Sequence, residues 1–328
     1  MQKTKTTKHS RRGAARLGRV AALATFAVLG TLSFAASAEA APKPSVSTGP
    51  AKTVTFDSAT LTGAVNPQGS NTSYYFQFGL TKAYGGQTSI ADAGAGTKAV
   101  KVMLPIGGLQ PITVYHYRLV AVNAIGATIG ADHTLLTTKV PLSLAILASP
   151  NPVPFGGAVT IQGTLSGTNN GSRQIVLQAN QFPFTAGFQN VGNPEVTNST
   201  GGFTFTLLNA SVVAQFRVVT TTNPPIVSPV TTENVAVKVT SHVAKTKRRG
   251  FARIYGTVTP AEDHMQVGML RITHGHGVLV GGTVLTHHSS TSSAFSRIVP
   301  VKPGVYRVLV RVTNGAQVSS YGQPLLIR

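Results

Sequence analysis

The chain has 328 residues, which is too long for one small sandwich domain and indicates two or three domains. It contains no cysteine, so disulfides, thiol nucleophiles and thiolate metal sites are excluded. Lys and Arg outnumber Asp and Glu by 28 to 8, which gives a formal net charge of +20. This balance disfavours hydrolysis by paired carboxylates and favours an anionic partner.

Residues 1–40 have the layout of an export signal. Basic side chains precede an apolar run over 20–36, and small-residue cleavage sites end at Ala38 and Ala40. A membrane anchor is the weaker alternative, because the run falls short of the ~20 apolar residues of a span. Cleavage after Ala40 would leave 21 bases and 7 acids, a net charge of +14. We predict a secreted or envelope-associated chain with no membrane span after processing.

Residues 44–138 alternate apolar and polar side chains in short runs between turns, which predicts β-strands. In the run 109–126, Tyr115 and Tyr117 share one face of a strand, and His116 and Arg118 share the other, partly covered face. The first face is expected in a core. The second is expected to keep His116 and Arg118 in water.

The spacing from Leu109 through Tyr115 to Asn123 resembles the signature of fibronectin type III domains of exported bacterial proteins. The runs 59–63 and 73–79, followed by Tyr84-Gly85, extend the resemblance over about residues 44–138. It implies a seven-stranded sandwich in which Tyr115 forms a tyrosine corner, with its ring in the core and its hydroxyl on nearby backbone. The chain departs from the family in lacking a core Trp, and it has no Arg-Gly-Asp triplet.

The remaining chain continues the same alternation without a sharp motif. The runs that predict a second sandwich, which resembles bacterial immunoglobulin-type modules, are 159–165, 175–179, 203–207, 216–218 and 235–239. A third unit includes 251–256, 266–272 and 306–312, and its last hairpin repeats the pattern from Tyr117-Arg118 to Asn123. We predict an all-β fold of three tandem β-sandwich domains, independent of one another. The predicted domains are 41–138 (fibronectin type III), 139–239 (immunoglobulin-like) and 240–328 (basic, immunoglobulin-like), after the signal peptide 1–40.

Candidate catalytic groups are sparse, and no hydrolase, metalloprotease or phosphate-loop motif is present. Glu262 and Asp263 are adjacent, but after Pro260 they are expected in an ordinary turn. The acids are otherwise scattered over three domains. We therefore predict no catalytic residue and no enzyme activity.

Histidines concentrate in the last domain. His274 and His276 would share a strand face, and a hairpin through Gly281-Gly282 could bring His287 or His288 beside them. Zinc, nickel or copper accept such ligands. No carboxylate is spaced to orient the rings, so a solvated hairpin is the favoured interpretation, and we predict no metal or other cofactor.

A basic run lies where the second and third domains are predicted to meet. The third domain holds 11 bases and two acids, and so supplies +9 of the +14. A localised positive field attracts polyanions, although an exposed loop that resists aggregation is the alternative. Because export separates the chain from nucleic acid, the predicted partners are an anionic cell-wall polymer, a polysaccharide or another surface protein. The predicted polyanion-binding residues are Lys245, Lys247, Arg248, Arg249 and Arg253.

The predicted function is that of a non-enzymatic, exported structural, adhesive or spacer protein at the cell envelope, with the basic C-terminal domain in contact with a polyanionic polymer. The alternative is a secreted polysaccharide-binding or enzyme-accessory module that acts through loops of the first domain. Neutral sugars usually bind on exposed aromatic rings. The chain has no Trp, and only Tyr84 and Tyr321 are expected to be available. A His-dependent metalloenzyme is a third alternative.

Overall fold

A computed structural model describes residues 42–328, and every regular element in this range is a β-strand. The predicted all-β fold of three tandem β-sandwiches is confirmed, because three separate clusters of buried apolar side chains lie between facing sheets. The predicted signal peptide lies outside the described residues. Within 42–328, no helix could cross a membrane.

The first sandwich contains two sheets around one apolar core. Its strands are β1 (Ser45–Thr48), β2 (Ser58–Asn66), β3 (Thr72–Gly79), β4 (Gly86–Gln87), β5 (Ala91–Gly94), β6 (Val100–Gly107), β7 (Val114–Asn123), β8 (Gly126–Ile129) and β9 (His133–Leu136). One sheet has the order β1-β2-β6, and the other has the order β4-β3-β7-β8, with β5 also paired to β3 and β9 to β7. If β4 with β5 and β8 with β9 each count as one interrupted strand, the sandwich has seven strands, as the resemblance implied.

Strand β7 is central to the larger sheet, and its alternation decides which side chains enter the core. Tyr115 and Tyr117 are buried, as predicted. The Tyr115 hydroxyl accepts a hydrogen bond from the backbone N–H of Gln110 at 3.0 Å, so the implied tyrosine corner is present. The outer face is more covered than alternation suggests, because Val120 on that face is only 2% exposed.

The second sandwich again places apolar strand faces toward each other. Its strands are β10 (Ser143–Ser149), β11 (Val153–Pro154), β12 (Val159–Ser166), β13 (Gln174–Gln181), β14 (Gln189–Asn190), β15 (Glu195–Val196), β16 (Gly202–Leu207), β17 (Ala214–Thr220), β18 (Thr231–Glu233) and β19 (Val235–Ala236). The sheet β10-β12-β16 faces the sheet β14-β13-β17-β18, in which β15 also pairs with β13, and β11 pairs with β19 in parallel. Ile161, Leu177 and Phe205 lie in the core, as the period of two predicted.

The third sandwich is built from four- and five-stranded sheets. Its strands are β20 (Lys238–Lys245), β21 (Phe251–Thr259), β22 (Gln266–Thr273), β23 (His276–Val284), β24 (Thr286–Ser289), β25 (Ser292–Pro300), β26 (Gly304–Arg311), β27 (Ser320–Tyr321) and β28 (Leu325–Ile327). The sheet β20-β21-β25-β24 faces the sheet β23-β22-β26, whose last strand pairs with both β27 and β28. Ile254, Met269 and Val308 lie in the core between them.

Tyr306 forms a second tyrosine corner. Its hydroxyl accepts a hydrogen bond from the backbone N–H of Lys302 at 2.9 Å and donates one to the carbonyl of Lys302 at 3.0 Å. Tyr306 precedes Asn314 by the same number of residues that separates Tyr115 from Asn123. Tyr306 therefore corresponds to Tyr115. The sequence pattern had matched Tyr306 with Tyr117, and that match is wrong by two residues.

The second and third sandwiches follow one another without a linker. Val235 belongs to the second core, whereas Val237 and Val239 belong to the third, so the predicted single run over 235–239 is divided between β19 and β20. The domain boundary at residue 239 stays a prediction.

Backbone and side-chain bonds join the two sandwiches at this junction. The N–H of Val213 donates to the carbonyl of Ala316 at 2.8 Å, and the amide of Gln317 donates to the carbonyl of Ser211 at 2.8 Å. A Cβ atom at Gly315 would lie 2.8 Å from the ring of Phe182. Because these contacts are shared, we expect the second and third sandwiches to unfold together, unlike the independent units that the sequence suggested.

The substitution Gly315→Val tests this coupling. Gly315 has a φ of +80°, so valine there carries backbone strain of about 1–3 kcal/mol and also displaces Phe182. Gly275 has a φ of +79° with nothing within 4 Å of its Cβ position, so Gly275→Val is a matched control for the strain alone. In calorimetry, we expect the shared transition of the second and third sandwiches to split in Gly315→Val and to stay single in Gly275→Val. Two separate transitions in the unsubstituted chain would contradict the coupling.

Candidate functional site

A groove of about 830 Å³ opens at the end of the third sandwich, and we call it the basic groove. It lies between the β20–β21 turn (246–250), the β25–β26 loop (301–303) and the segment 326–328. No Asp or Glu side chain lines it. The basic side chains that line it are Lys245, Arg248, Arg249, Lys302 and Arg328.

The basic groove lies at the end of the third sandwich that is remote from the second. Strand β20 leaves the junction at Lys238 and reaches Lys245 after about 23 Å, at ~3.3 Å per residue. The contacts to the second sandwich come instead from 315–318, beyond the opposite end of β26. The prediction that the basic run lies where the two domains meet is therefore wrong, because an extended strand carries the run away from the junction.

Local hydrogen bonds fix the turn that carries the basic run. The hydroxyl of Thr246 donates to the carbonyls of Arg248 at 3.0 Å and Phe251 at 2.9 Å. Gly250 has a φ of +79°, and its carbonyl accepts from the N–H of Val301 at 2.8 Å. The Arg248 guanidinium lies 3.9 Å from the ring centroid of Phe251, a cation–π contact that orients the charge beside the groove.

Lys302 and Arg328 join the groove through pairings that are distant in sequence. The buried Tyr306 hydroxyl holds the backbone of Lys302, and Gly304 pairs with Ile327 in register, which brings Arg328 to the same end. Sequence reasoning missed both bases. The spacing of the tyrosine corner could have indicated Lys302, since such a hydroxyl binds backbone a few residues upstream.

Two of the five predicted polyanion-binding residues lie outside the groove. Lys247 is exposed in the β20–β21 turn but does not line the groove. Arg253 lies on the outer face of its sheet, where its Nε donates to the Ser296 hydroxyl at 2.8 Å and its guanidinium lies 5.0 Å from the Tyr255 ring. The structure thus brings together Lys245, Arg248 and Arg249.

Both acids of the third sandwich lie at the opposite end, in the turn that the sequence predicted after Pro260. Glu262 is buried, and its carboxylate accepts from the Asn314 amide at 2.9 Å and 3.1 Å. Burial raises the pKa of Glu262, and the bond from Asn314 offsets this only in part. The hydroxyl of Ser293 lowers the pKa of Asp263, with a smaller contribution from His287. The two acids are therefore bonded near the junction, whereas the five bases of the groove lie at the remote end.

The four candidate metal ligands are not brought together. Gly281 and Gly282 lie within β23, and the two-residue turn is formed instead by His274 (φ +50°) and Gly275 (φ +79°). Strand β23 separates its two ends by about 26 Å at ~3.3 Å per residue. Among residues 42–328, no group of three or more His, Asp or Glu could hold a metal ion. His276 therefore lies far along the sandwich from His287 and His288, which are on β24 of the facing sheet.

A carboxylate does orient one of these rings, contrary to the sequence-based expectation. Asp263 accepts from the Ser293 hydroxyl and lies 3.2 Å from Nδ1 of His287. Activation of a serine requires the imidazole between the hydroxyl and the carboxylate. Here the carboxylate lies in the middle and Ser293 is fully buried, so the arrangement fixes a loop and is not built for nucleophilic attack.

A second polar cluster covers the outer face of β7 in the first sandwich. Asp132 accepts from the Tyr84 hydroxyl at 2.9 Å and lies 2.9 Å from Nδ1 of His116 and 3.8 Å from Nζ of Lys82. Arg118 lies over the Tyr84 ring at 4.4 Å. Tyr84 is only 8% exposed, so the expectation that it is available to a ligand is wrong, and His116 is half-buried. The cluster ties the β3–β4 loop and the β8–β9 loop to strand β7.

Comparisons with known proteins find similarity to solved structures at low identity and low TM-score. No protein-family model and no curated protein matches it. The chain is similar to the FN1–FN3 domains of chicken CNTN1 at 15% identity, over 86% of this chain and 96% of that one, with a TM-score of 0.30. A tetra-tandem repeat from the extending region of a large adhesion protein matches at 16% identity, over 86% and 74%, with a TM-score of 0.29. The sensor domain of the anti-sigma factor RsgI4 of Pseudobacteroides cellulosolvens matches at 20% identity, over 29% and 89%, with a TM-score of 0.21.

The Asp132 cluster predicts a pH dependence of the first sandwich. Burial raises the pKa of Asp132, but hydrogen bonds from His116 and Tyr84 and the charges of His116 and Lys82 together outweigh it, so the pKa lies below its usual range. Because the folded-state pKa is below the unfolded value of ~3.9, the stabilisation is present above that pH and is lost as the pH falls through the folded value.

We therefore expect Asp132→Asn to destabilise the first sandwich near neutral pH and to flatten its loss of stability in acid. Urea unfolding, followed by tyrosine fluorescence from about pH 7 to about pH 3, measures both effects. Asp92→Asn is the control, since an asparagine oxygen can still accept from the N–H of Gly94 as Asp92 does. An Asp132→Asn profile that coincides with that of the unsubstituted chain would show that the cluster contributes nothing.

Proposed function

We propose that the chain is a non-enzymatic, exported structural or adhesive protein of the cell envelope, and that its basic groove binds a polyanionic polymer. The observation that carries this proposal is the separation of charge in the third sandwich. Five basic side chains line one groove at the remote end, and the two acids of the same sandwich are bonded at the junction. The groove therefore presents a field of one sign.

The form of the groove suits an extended anion. Apolar side chains of Val301, Leu326 and Ile327 line the groove together with the bases. Apolar walls lower the local dielectric and so strengthen the attraction between the bases and an anion. Its position at the remote end keeps the second sandwich clear of the contact. The shared bonds at the junction would transmit a load from the groove into the second sandwich.

The arrangement of imidazoles and carboxylates supports a non-enzymatic role. In residues 42–328, His116 and His287 are the histidines that contact a carboxylate. Each of those carboxylates also binds a hydroxyl, from Tyr84 or Ser293. Both carboxylates therefore hold loops in place, and this role requires no group that reacts with a substrate.

Recognition of a neutral polysaccharide is the alternative function. A shallow concavity of about 600 Å³ on the outer face of β10-β12-β16 favours it, since Gln162, Thr164 and Thr204 line it and no charged side chain does. Against it, the Tyr84 ring is covered, and Tyr321, which is 48% exposed, has the Arg307 guanidinium 4.8 Å from its centroid. Neither ring offers an open platform of the kind that sugars use.

The salt dependence of binding distinguishes the two functions. We expect the chain to bind immobilised polyphosphate and polygalacturonate, and to lose affinity steeply between about 50 and about 200 mM salt. The triple variant Lys245→Gln, Arg248→Gln, Arg249→Gln should bind at least about tenfold more weakly and with a shallower salt slope. The control Lys52→Gln, Lys98→Gln, Lys101→Gln removes the same charge from exposed positions of the first sandwich and should change affinity by less than about twofold. Equal losses in the two variants, or salt-insensitive binding competed by a neutral glycan, would contradict the proposal.

A further inference from the structure

Arg271 extends between the two sheets at the mouth of the third sandwich. It lies on β22 directly opposite Tyr306 of β26, in the register that pairs Met269 with Val308. Directly opposed residues share a sheet face, and Tyr306, Met269 and Val308 are all buried. Arg271 therefore occupies a core-facing position at the end where the basic groove opens.

The guanidinium of Arg271 has an unsatisfied donor. One terminal nitrogen, Nη2, donates to the carbonyl of Pro303 at 3.1 Å. The Nε atom is buried and has no hydrogen-bond partner among the described residues. Buried polar groups are nearly always paired, and leaving a donor of a charged group unpaired is unfavourable. A hydrogen-bond acceptor for the Arg271 guanidinium would therefore be favourable.

Arg271 lines a pocket of about 440 Å³. Arg271 and Lys302 supply its two cations, Thr273 adds a hydroxyl, and Val278, Val280 and Tyr306 form other parts of its wall. No Asp or Glu side chain lines it. Gly250, Val301 and Lys302 line both this pocket and the basic groove, so the two are adjacent.

We propose that this pocket binds a phosphate group, and that the polymer in the basic groove is therefore one that carries phosphate. This inference rests on the proposed function and narrows its ligand class. Guanidinium and ammonium groups form short, charge-assisted bonds with phosphate oxygens, and a phosphate group offers more acceptors than a carboxylate to donors that approach from several sides. Two cations and a hydroxyl suit the tetrahedral oxygens of a phosphate better than the two coplanar oxygens of a carboxylate.

Titration of the unsubstituted chain with inorganic phosphate tests the pocket directly. The Nε–H signal of Arg271 in a proton–nitrogen correlation spectrum is assigned by its loss in Arg271→Lys. We expect phosphate to shift this signal saturably, while sodium chloride of equal ionic strength and sodium acetate do not. The exposed Arg297 serves as the internal control. An Arg271 signal that phosphate leaves in place, or that acetate shifts equally, would overturn the inference.

Polymer binding separates this inference from the proposed function. Arg271→Gln should weaken binding to polyphosphate by about tenfold or more and weaken binding to polygalacturonate far less, and Arg297→Gln should change both by less than about twofold. If the unsubstituted chain binds neither polymer, the proposed function is wrong. The phosphate titration then still tests whether the pocket binds phosphate. If it binds both and Arg271→Gln behaves as Arg297→Gln does, the phosphate inference alone fails. Because the titration uses the unsubstituted chain, a folding defect in Arg271→Gln leaves the inference testable.

Discussion

Burial of one face of each strand holds every sandwich together, and the chemistry of the chain is arranged around that constraint. Without cysteine there is no disulfide to stabilise domains of this size, so stability depends on the three cores of buried apolar and aromatic side chains. Tyr115 and Tyr306 have a second role, because each buries its ring and its hydroxyl also binds the backbone of a loop at the end of a sandwich. In the third sandwich, that loop carries a basic side chain into the groove.

Strand direction places the two acids and the five bases of the groove at opposite ends of the third sandwich. Strands β20 and β28 run toward the remote end and deliver bases there, and β21 ends at the turn that holds the acids. Glu262 is kept in place by Asn314, the same residue whose side-chain oxygen caps the turn that contacts the second sandwich. The junction and the charge separation therefore depend on shared residues, which links the packing of the sandwich to the field at its remote end.

Local pattern in the sequence was sufficient for most strands, but it could not locate the groove. The period of two placed Tyr115, Ile161 and Phe205 in cores because side-chain direction follows from neighbouring residues alone. Convergence of Lys302 and Arg271 on one end depends on pairings between β22, β26 and β28, which no local spacing encodes. The turn at His274-Gly275 was missed because two consecutive glycines at 281–282 gave a stronger turn signal. Those glycines instead lie beside a β-bulge.

The central claim is that the contact surface for a polyanion is the remote end of the third sandwich. Backbone chemical-shift mapping of the whole chain with a short polyphosphate tests it most directly. We predict that the perturbed residues cluster at 245–251, 271–273, 301–304 and 326–328, and that the first sandwich is unaffected. Perturbations centred on the loops of the first sandwich, or on the outer face of β10-β12-β16, would contradict it.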